Sequence, residues 1–323
     1  SVGAGTEIEA ADIASIVYTD ETGTEITLST QAEISAFLST SVQTSIPAGS
    51  KAAPKITVTF IDDDIYEQSE DLVLEISNPQ NANLGTASAT GVVNDESSNP
   101  NDPGDGSDLD GDRPTVSVTG GSATEGDVID FTVDLSNPSA SATTVSLTLA
   151  DGSATLGTDT TTPVQVSTDG GTTFTDVIVT NGSFSADIPA GSTELIVRVP
   201  TATDNIDEVT EDFTLSATVP GQTTAATGTG IILDDNTAPV INIEAKNPSA
   251  TEGVLDDVII FKVEQVGLSD RATSVTATLT LPGGVSGAEA ADILNQEIVF
   301  TDTTGTPTTY TVAQALAGIE VTI

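Results

Sequence analysis

This chain contains the same pattern more than once. Ile46-Pro47-Ala48-Gly49-Ser50 recurs, residue for residue, as Ile188-Pro189-Ala190-Gly191-Ser192, 142 positions on. Asp63-Asp64-Ile65-Tyr66-Glu67 with Glu70-Asp71 matches Asp204-Asn205-Ile206-Asp207-Glu208 with Glu211-Asp212 at an offset of 141. Thr90-Gly91-Val92-Val93, ending on Asp95-Glu96, matches Thr229-Gly230-Ile231-Ile232, ending on Asp234-Asp235, at 139. Ser122-Ala123-Thr124-Glu125-Gly126 matches Ser249-Ala250-Thr251-Glu252-Gly253. Glu9-Ala10-Ala11-Asp12-Ile13 recurs two periods later as Glu289-Ala290-Ala291-Asp292-Ile293. Self-similarity at a near-constant offset means one structural unit built in tandem, and about 140 residues is the size of a domain. The phases assign residues 1–96 to the later part of one repeat and 114–236 to a complete repeat. They assign 97–113 to an acidic Gly/Pro/Ser linker and 239–323 to the earlier part of a third repeat. The chain is therefore expected to be a window on a longer array, with 1–45 and 281–323 covering nearly the same phase.

Each repeat alternates apolar and polar residues with a period of two. Phe131-Thr132-Val133-Asp134-Leu135, Val145-Ser146-Leu147-Thr148-Leu149 and Leu195-Ile196-Val197-Arg198-Val199 do so in the complete repeat; Ile56-Thr57-Val58-Thr59-Phe60 and Leu72-Val73-Leu74-Glu75-Ile76 do so in the first. Turn signals fall between such runs: Asn78-Pro79, Asn137-Pro138, Asp169-Gly170-Gly171 and Asn181-Gly182. Many short strands at near-regular spacing predict an all-β fold of tandem immunoglobulin-like sandwiches with Greek-key connections. The partial repeats add short helical inserts, signalled by capping boxes at Thr6-x-x-Glu9, Thr30-x-x-Glu33, Ser286-x-x-Glu289 and Thr311-x-x-Gln314. In the complete repeat, Thr- and Gly-rich hairpin sequence is expected to replace them.

Charge narrows the function. With 49 acidic residues against 7 basic ones and no histidine, the net charge is −42. Phosphate recognition needs clustered Lys and Arg, so nucleic acid is excluded as a partner, and anionic membrane surfaces are disfavoured. No run approaches the ~18 apolar residues of a membrane span, so direct membrane insertion is not expected. The chain has no cysteine, so neither disulfides nor thiolate chemistry is available. A compact fold this acidic repels itself unless cations neutralise it.

The acids gather in clusters. Asp62-Asp63-Asp64 with Glu67 and Glu70 sets five carboxylates within nine positions. Ca²⁺ takes about six to eight oxygen ligands, and clustered loop carboxylates supply them. The recurrence of this spacing one period later, beside the Asp95-Glu96 and Asp234-Asp235 pairs, favours calcium over a solvated acidic turn. Zinc favours His and Cys, which are absent. In the linker, Asp108, Asp110 and Asp112 alternate but lack the Gly and Glu of a helix-loop-helix calcium loop, so a solvated linker is expected.

Ile61-Asp62-Asp63-Asp64-Ile65-Tyr66-Glu67 through Glu70-Asp71, the strand Leu72 to Ile76 leading into Ser77-Asn78-Pro79, and the ending Gly91-Val92-Val93-Asn94-Asp95 resemble the Calx-beta domain. Asp151-Gly152-Ser153-Ala154 with Gly157-Thr158-Asp159 resembles the family's central motif. Calx-beta domains occur in sodium/calcium exchangers and in giant bacterial RTX-type adhesins. The resemblance implies calcium at one end of the complete domain, held by Glu125, Asp159, Asp204, Asn205, Glu208, Glu211, Asp234 and Asp235. In the first repeat it implies Asp63, Asp64, Glu67, Glu70, Asp95 and Glu96, with Asp12 a further match. In the third it implies Glu252, with Asp292. Asn205 and Asn236 stand where the family has acids, which lowers the charge of the site.

These features predict a calcium-rigidified extracellular module of a bacterial adhesin or surface filament. Its expected partners are calcium, neighbouring repeats and other copies of the chain. The alternatives are an exchanger-type calcium sensor and a filament subunit completed by strand donation. An enzyme is not expected. The commonest bases and nucleophiles are missing, no Gly-x-Ser-x-Gly elbow occurs, and the Asp runs are spaced as metal ligands rather than as a glycosidase pair.

Overall fold

A computed structural model describes residues 8, 10–51, 54–61, 63–67, 69–93, 113–252, 254, 257–281, 292–293, 297–302 and 304–322. The linker before Arg113, Asp62, Asp95, Glu96 and the capping boxes at Thr6 and Ser286 lie outside these residues.

In the first repeat a 3-10 turn, Ala10–Asp12, leads into β1 (Ile13–Thr19), β2 (Glu25–Leu28), helix α1 (Gln31–Ser39), β3 (Ile56–Phe60), β4 (Glu70–Glu75) and β5 (Ser88–Val93). The central repeat holds β6 (Val116–Thr119), β7 (Ser122–Thr124), β8 (Val128–Leu135), β9 (Thr143–Asp151), β10 (Val164–Ser167) and β11 (Thr175–Val177). It continues with β12 (Ser183–Ile188), β13 (Glu194–Pro200), β14 (Ile206–Asp207), β15 (Glu211–Thr218) and β16 (Ala226–Leu233). The third contains β17 (Val240–Asn247), β18 (Ile260–Val266), β19 (Leu268–Ser269), β20 (Ser274–Ala277), β21 (Glu297–Thr301), β22 (Pro307–Thr311), helix α2 (Val312–Ala317) and β23 (Ile319–Thr322).

The central repeat is a sandwich of two five-stranded sheets, β11-β10-β13-β8-β6 and β12-β9-β15-β16-β7. The predicted alternation is realised along β8, where Ile129, Phe131, Val133 and Leu135 point inward while Val128, Asp130 and their alternates face out. Val145 and Leu147 on β9, Leu195 and Val197 on β13, and Phe213 and Leu215 on β15 fill the space from their own sheets. Phe131 and Phe213 meet edge-on across the sheets with centroids 5.6 Å apart. Each such side chain contributes about 1.5–3 kcal/mol by leaving water. The Asn181-Gly182 turn is a two-residue hairpin: Asn181 and Gly182 both have positive φ, and Thr180 and Ser183 exchange backbone hydrogen bonds at 2.9 and 3.0 Å.

One glycine pair sets the topology. β6 pairs with β8 in one sheet, yet β7, two residues later, runs parallel to β16 in the other. The chain crosses between sheets at Gly120-Gly121. A Cβ at Gly120 would collide with the Thr229 carbonyl, and one at Gly121 would lie 2.8 Å from the Asp130 carbonyl. Only residues without a side chain allow this approach.

Both described capping boxes form as expected. Thr30 and Glu33 cap α1 reciprocally, and Thr311 and Gln314 cap α2. The structure changes what the inserts are, because the hairpin before each helix is common to all three repeats. The order β2-β1-β3 matches β11-β10-β13, and one aspartate closes the turn each time. Asp20 accepts from Thr24 N (2.8 Å), Asp169 from Thr173 N (2.8 Å) and Asp302 from Thr306 N (2.8 Å). Only the helices are additions. A carboxylate fed by several donors is held in its charged form, so Asp169 falls to about 2 through the Thr173 and Ser167 hydroxyls and the Thr173 amide. Asp20 is lowered by the Thr22 hydroxyl and then the Thr24 amide, and Asp302 by the Thr304 hydroxyl and then the Thr306 amide.

Candidate metal centre

The sheet crossing delivers the first acid. β7 ends with Thr124 beside Leu233, the last residue of β16, and Glu125 N donates to Leu233 O at 3.0 Å. Glu125 is therefore held next to Asp234-Asp235, with carboxylate oxygens of the three residues within 4.8 Å of one another. Asn236 fixes the pair from behind: its backbone N–H donates to Asp234 Oδ1 (3.1 Å) and its Nδ2 to Asp235 Oδ1 (3.2 Å).

Two further loops are tied to this edge. Thr201 Oγ1 donates to the carbonyls of Thr124 (3.2 Å) and Asp127 (2.9 Å). Gly126 N donates to Ala202 O, and Ala202 N to Asp159 O, both at 2.9 Å. Asp159 folds back to accept from Thr155 N at 2.7 Å, and Asp204 closes a tight turn on Ile206 N at 2.8 Å. Glu208 follows in the loop after β14, and Glu211 opens β15.

The electrostatics show how close these groups are. Burial, then the charges of Asp204, Glu208, Asp234 and Asp235, push Glu125 up to about 7. Burial, Asp159 and Glu208 push Glu211 up to about 7, and Glu208 is raised by burial, Asp204 and Asp159. Desolvation and like charge both disfavour ionisation. Glu125 Oε2 is shut off from solvent without a hydrogen-bond partner among the described residues. An all-oxygen donor set with an orphaned carboxylate oxygen fits a hard divalent cation, and calcium oxygens sit at about 2.3–2.6 Å from the ion.

Seven of the eight residues expected in the complete repeat are thus gathered at one end; Asn205 sits exposed beside Asp204. In the first repeat Asp63 makes the same turn as Asp204, accepting from Ile65 N at 2.9 Å. There Asp63 and Asp64 are exposed, Glu67 is half-buried and Glu70 is buried. Glu252 is exposed on the turn after β17, and Asp12 accepts from Ile61 N at 2.7 Å through its backbone carbonyl. Sequence reasoning missed Asp270. It belongs to the third repeat, yet its charge raises Glu208 and Glu211. The repeat comparison held no signal for it, because Ala140 occupies the corresponding place in the central repeat.

The Calx-beta domain family model matches residues 36–97 and 112–246. The chain belongs to the Calx-beta family. Similar solved structures include the apo-form Calx CBD1 domain, at 18% identity and a TM-score of 0.27 over 38% of this chain and 99% of that one. CBD12 from CALX1.2 is similar at 12% identity and 0.28, over 47% and 75%. BcpA, the major pilin subunit of Bacillus cereus, is similar at 11% identity and 0.26, over 98% and 93%. No curated protein matches the sequence. Among the described residues, no helix is long and apolar enough to cross a membrane.

Proposed function

We propose that this Calx-beta chain is a calcium-rigidified extracellular repeat module, a structural extender of a bacterial adhesin or surface filament. The observation that carries the reading is the convergence of Glu125, Asp234 and Asp235 within 4.8 Å, with one Glu125 oxygen buried and unpaired. A bound cation would supply positive charge to loops from four places in the central repeat and stabilise only the folded state. The ligands are Glu125, Asp159, Asp204, Glu208, Glu211, Asp234 and Asp235, with Asn205 at the margin. Asp63, Asp64, Glu67, Glu70, Asp95, Glu96 and Glu252 serve the same purpose in the flanking repeats. Extracellular modules bind calcium at roughly 10⁻⁴–10⁻³ M, a range matched to the medium outside a cell.

Small-angle scattering tests this reading. In millimolar calcium the particle should be longer and narrower than in EDTA, with residual bending at the 97–113 linker. Identical profiles would overturn the extender. A calcium response saturating at micromolar concentration would instead favour an exchanger-type sensor.

Self-assembly by strand donation is a second reading, favoured by the apolar faces on the two flanking hairpins. β4–β5 exposes Val73, Leu74 and Val92, and β17–β18 exposes Val240, Ile243 and Phe261. In the central repeat the corresponding strands, β15–β16 and β6–β8, cover each other. Sedimentation over a range of concentrations separates the readings: head-to-tail oligomers support donation, and a monomer at all concentrations refutes it.

A further inference from the structure

The acidic loop of each of the first two repeats does something besides presenting carboxylates. Tyr66 forms an isolated parallel β-bridge with Ser139 of the next repeat. Tyr66 N donates to Pro138 O (3.0 Å), and Ala140 N donates to Tyr66 O (2.9 Å). One period later β14 pairs in parallel with β19, joining Asp207 to Ser269 of the following repeat, and Asp270 N donates to Asp207 O at 3.2 Å. Tyr66 and Asp207 occupy the same position of the repeat, between the Ile and the Glu of the acidic motif. Ser139 and Ser269 each lie just beyond the strand that pairs with the repeat's opening strand, β8 with β6 and β18 with β17.

The side chains repeat the arrangement. Ser139 Oγ donates to Tyr66 O at 3.2 Å, and Ser269 Oγ to Asp207 O at 3.1 Å. Each serine is also built into its own repeat, since Ser141 N donates to Ser139 Oγ and Arg271 N to Ser269 Oγ, both at 3.3 Å. An arginine completes each joint. Arg113 lies over the Tyr66 ring with its guanidinium carbon 5.6 Å from the centroid, and its Nη2 donates to the Tyr66 hydroxyl at 3.3 Å. Arg271 Nη2 pairs with Asp207 Oδ2 at 2.8 Å. The chain has three arginines in all, and two of them stand at these joints.

We propose that the residue between the Ile and Glu of the acidic motif is a latch that docks each repeat onto a serine-bearing turn of the next Calx-beta repeat. The arginine partner keys the latch: an aromatic residue meets Arg113 at the first joint, and a carboxylate meets Arg271 at the second. Peptide groups, the serine and Tyr66 hydroxyls, the Asp207 carboxylate and the arginines make the bonds of the latch, and none of these groups is among the cation ligands, so it needs no metal. The proposal is therefore independent of the calcium reading.

The absence of native cysteine makes the test clean. Parallel-bridged residues lie within disulfide reach, about 4.4–6.8 Å between Cα atoms. The paired variants Tyr66→Cys/Ser139→Cys and Asp207→Cys/Ser269→Cys should oxidise readily in EDTA, read as loss of free thiol and as cross-linked peptides by mass spectrometry. The crossed variant Tyr66→Cys/Ser269→Cys should oxidise severalfold more slowly. Equal rates for matched and crossed pairs, or cross-linking only in calcium, would overturn the latch. Keying is tested separately by spin-label distances across the second joint. Arg271→Asp should broaden the distribution, and Asp207→Arg/Arg271→Asp should narrow it again. A distribution unchanged by the single variant, or unrestored by the double one, would refute the keying.

Discussion

The loop at Asp63 to Glu67 and the loop at Asp204 to Glu208 have the same sequence logic and the same local turn, closed on Ile65 N in one and Ile206 N in the other. Their surroundings differ. The second loop faces Glu125, which arrives on β7 from the far end of the repeat, and Asp234-Asp235, which end β16. Among the described residues, the first loop hangs on the β4–β5 hairpin, which pairs with no other named strand, and its one bridge outward joins Tyr66 to Ser139. An acidic motif is a local property, whereas a multivalent site depends on closing a sandwich and switching a strand between sheets. Stability and cation response should therefore concentrate in the central repeat.

The largest expected effect comes from breaking that closure. Phe131→Ala or Phe213→Ala removes one half of the edge-on pair from a fully buried core, at a cost of about 3–5 kcal/mol. Denaturant melts should show it as a lower midpoint for the central repeat and no change in the flanking transitions. Uniform loss across all transitions would mean that the three regions unfold as one body.

Metal comes next. At a calcium concentration about 100 times the dissociation constant, binding to the folded state alone adds about 2.7 kcal/mol. For a domain of this size that shifts the melting midpoint by about 10 °C. Calorimetry in calcium and in EDTA should assign most of the shift to the central transition. A larger shift in a flanking transition would place the dominant cation site outside the central repeat.

The dependence on pH sharpens it further. The folded values of Glu125 and Glu211, about 7, lie above the ordinary 4.5, so the folded state holds protons that the unfolded chain has released. The stability this gives is full below about 4.5 and is lost as pH rises through about 7. In EDTA the central midpoint should therefore fall between about pH 5 and about pH 8. In calcium that fall should vanish, because the ion replaces the protons. A midpoint that rises over this window in EDTA would contradict the cluster's geometry.

The smallest effect belongs to a helix of the flanking repeats. Thr30→Ala removes the side-chain oxygen that accepts from Glu33 N at 3.3 Å. It should cost about 1 kcal/mol in the first transition alone, as read by urea denaturation. An equal change in the central transition would mean that α1 supports more than its own repeat.

Much of this was written locally and could be read from the sequence. Period-two alternation marks β3, β4, β8, β9 and β13, Asn181-Gly182 marks its hairpin, and Thr30 and Thr311 announce their helices. Two things could not be read that way. The Gly120-Gly121 crossing depends on carbonyls of Thr229 and Asp130, which are near only once both sheets exist. Asp270 and the serine joints belong to contacts between repeats, and a comparison of repeats with one another registers what they share rather than what they touch. The shared hairpin is not legible in the sequence because Asp169-Gly170-Gly171-Thr172-Thr173 and Asp20-Glu21-Thr22-Gly23-Thr24 place glycine differently, though the aspartate does the same work in both.

Calcium occupancy of the central repeat is tested most directly by a binding isotherm. Titration calorimetry of the intact chain should be compared with Glu125→Gln and Asp234→Asn, which keep size and remove charge. The intact chain should bind calcium with a midpoint of roughly 10⁻⁴–10⁻³ M, and each variant should lose a class of sites or weaken it at least tenfold, about 1.4 kcal/mol. Heat of binding that is absent from the intact chain, or unchanged in both variants, would contradict a calcium centre built on Glu125 and Asp234.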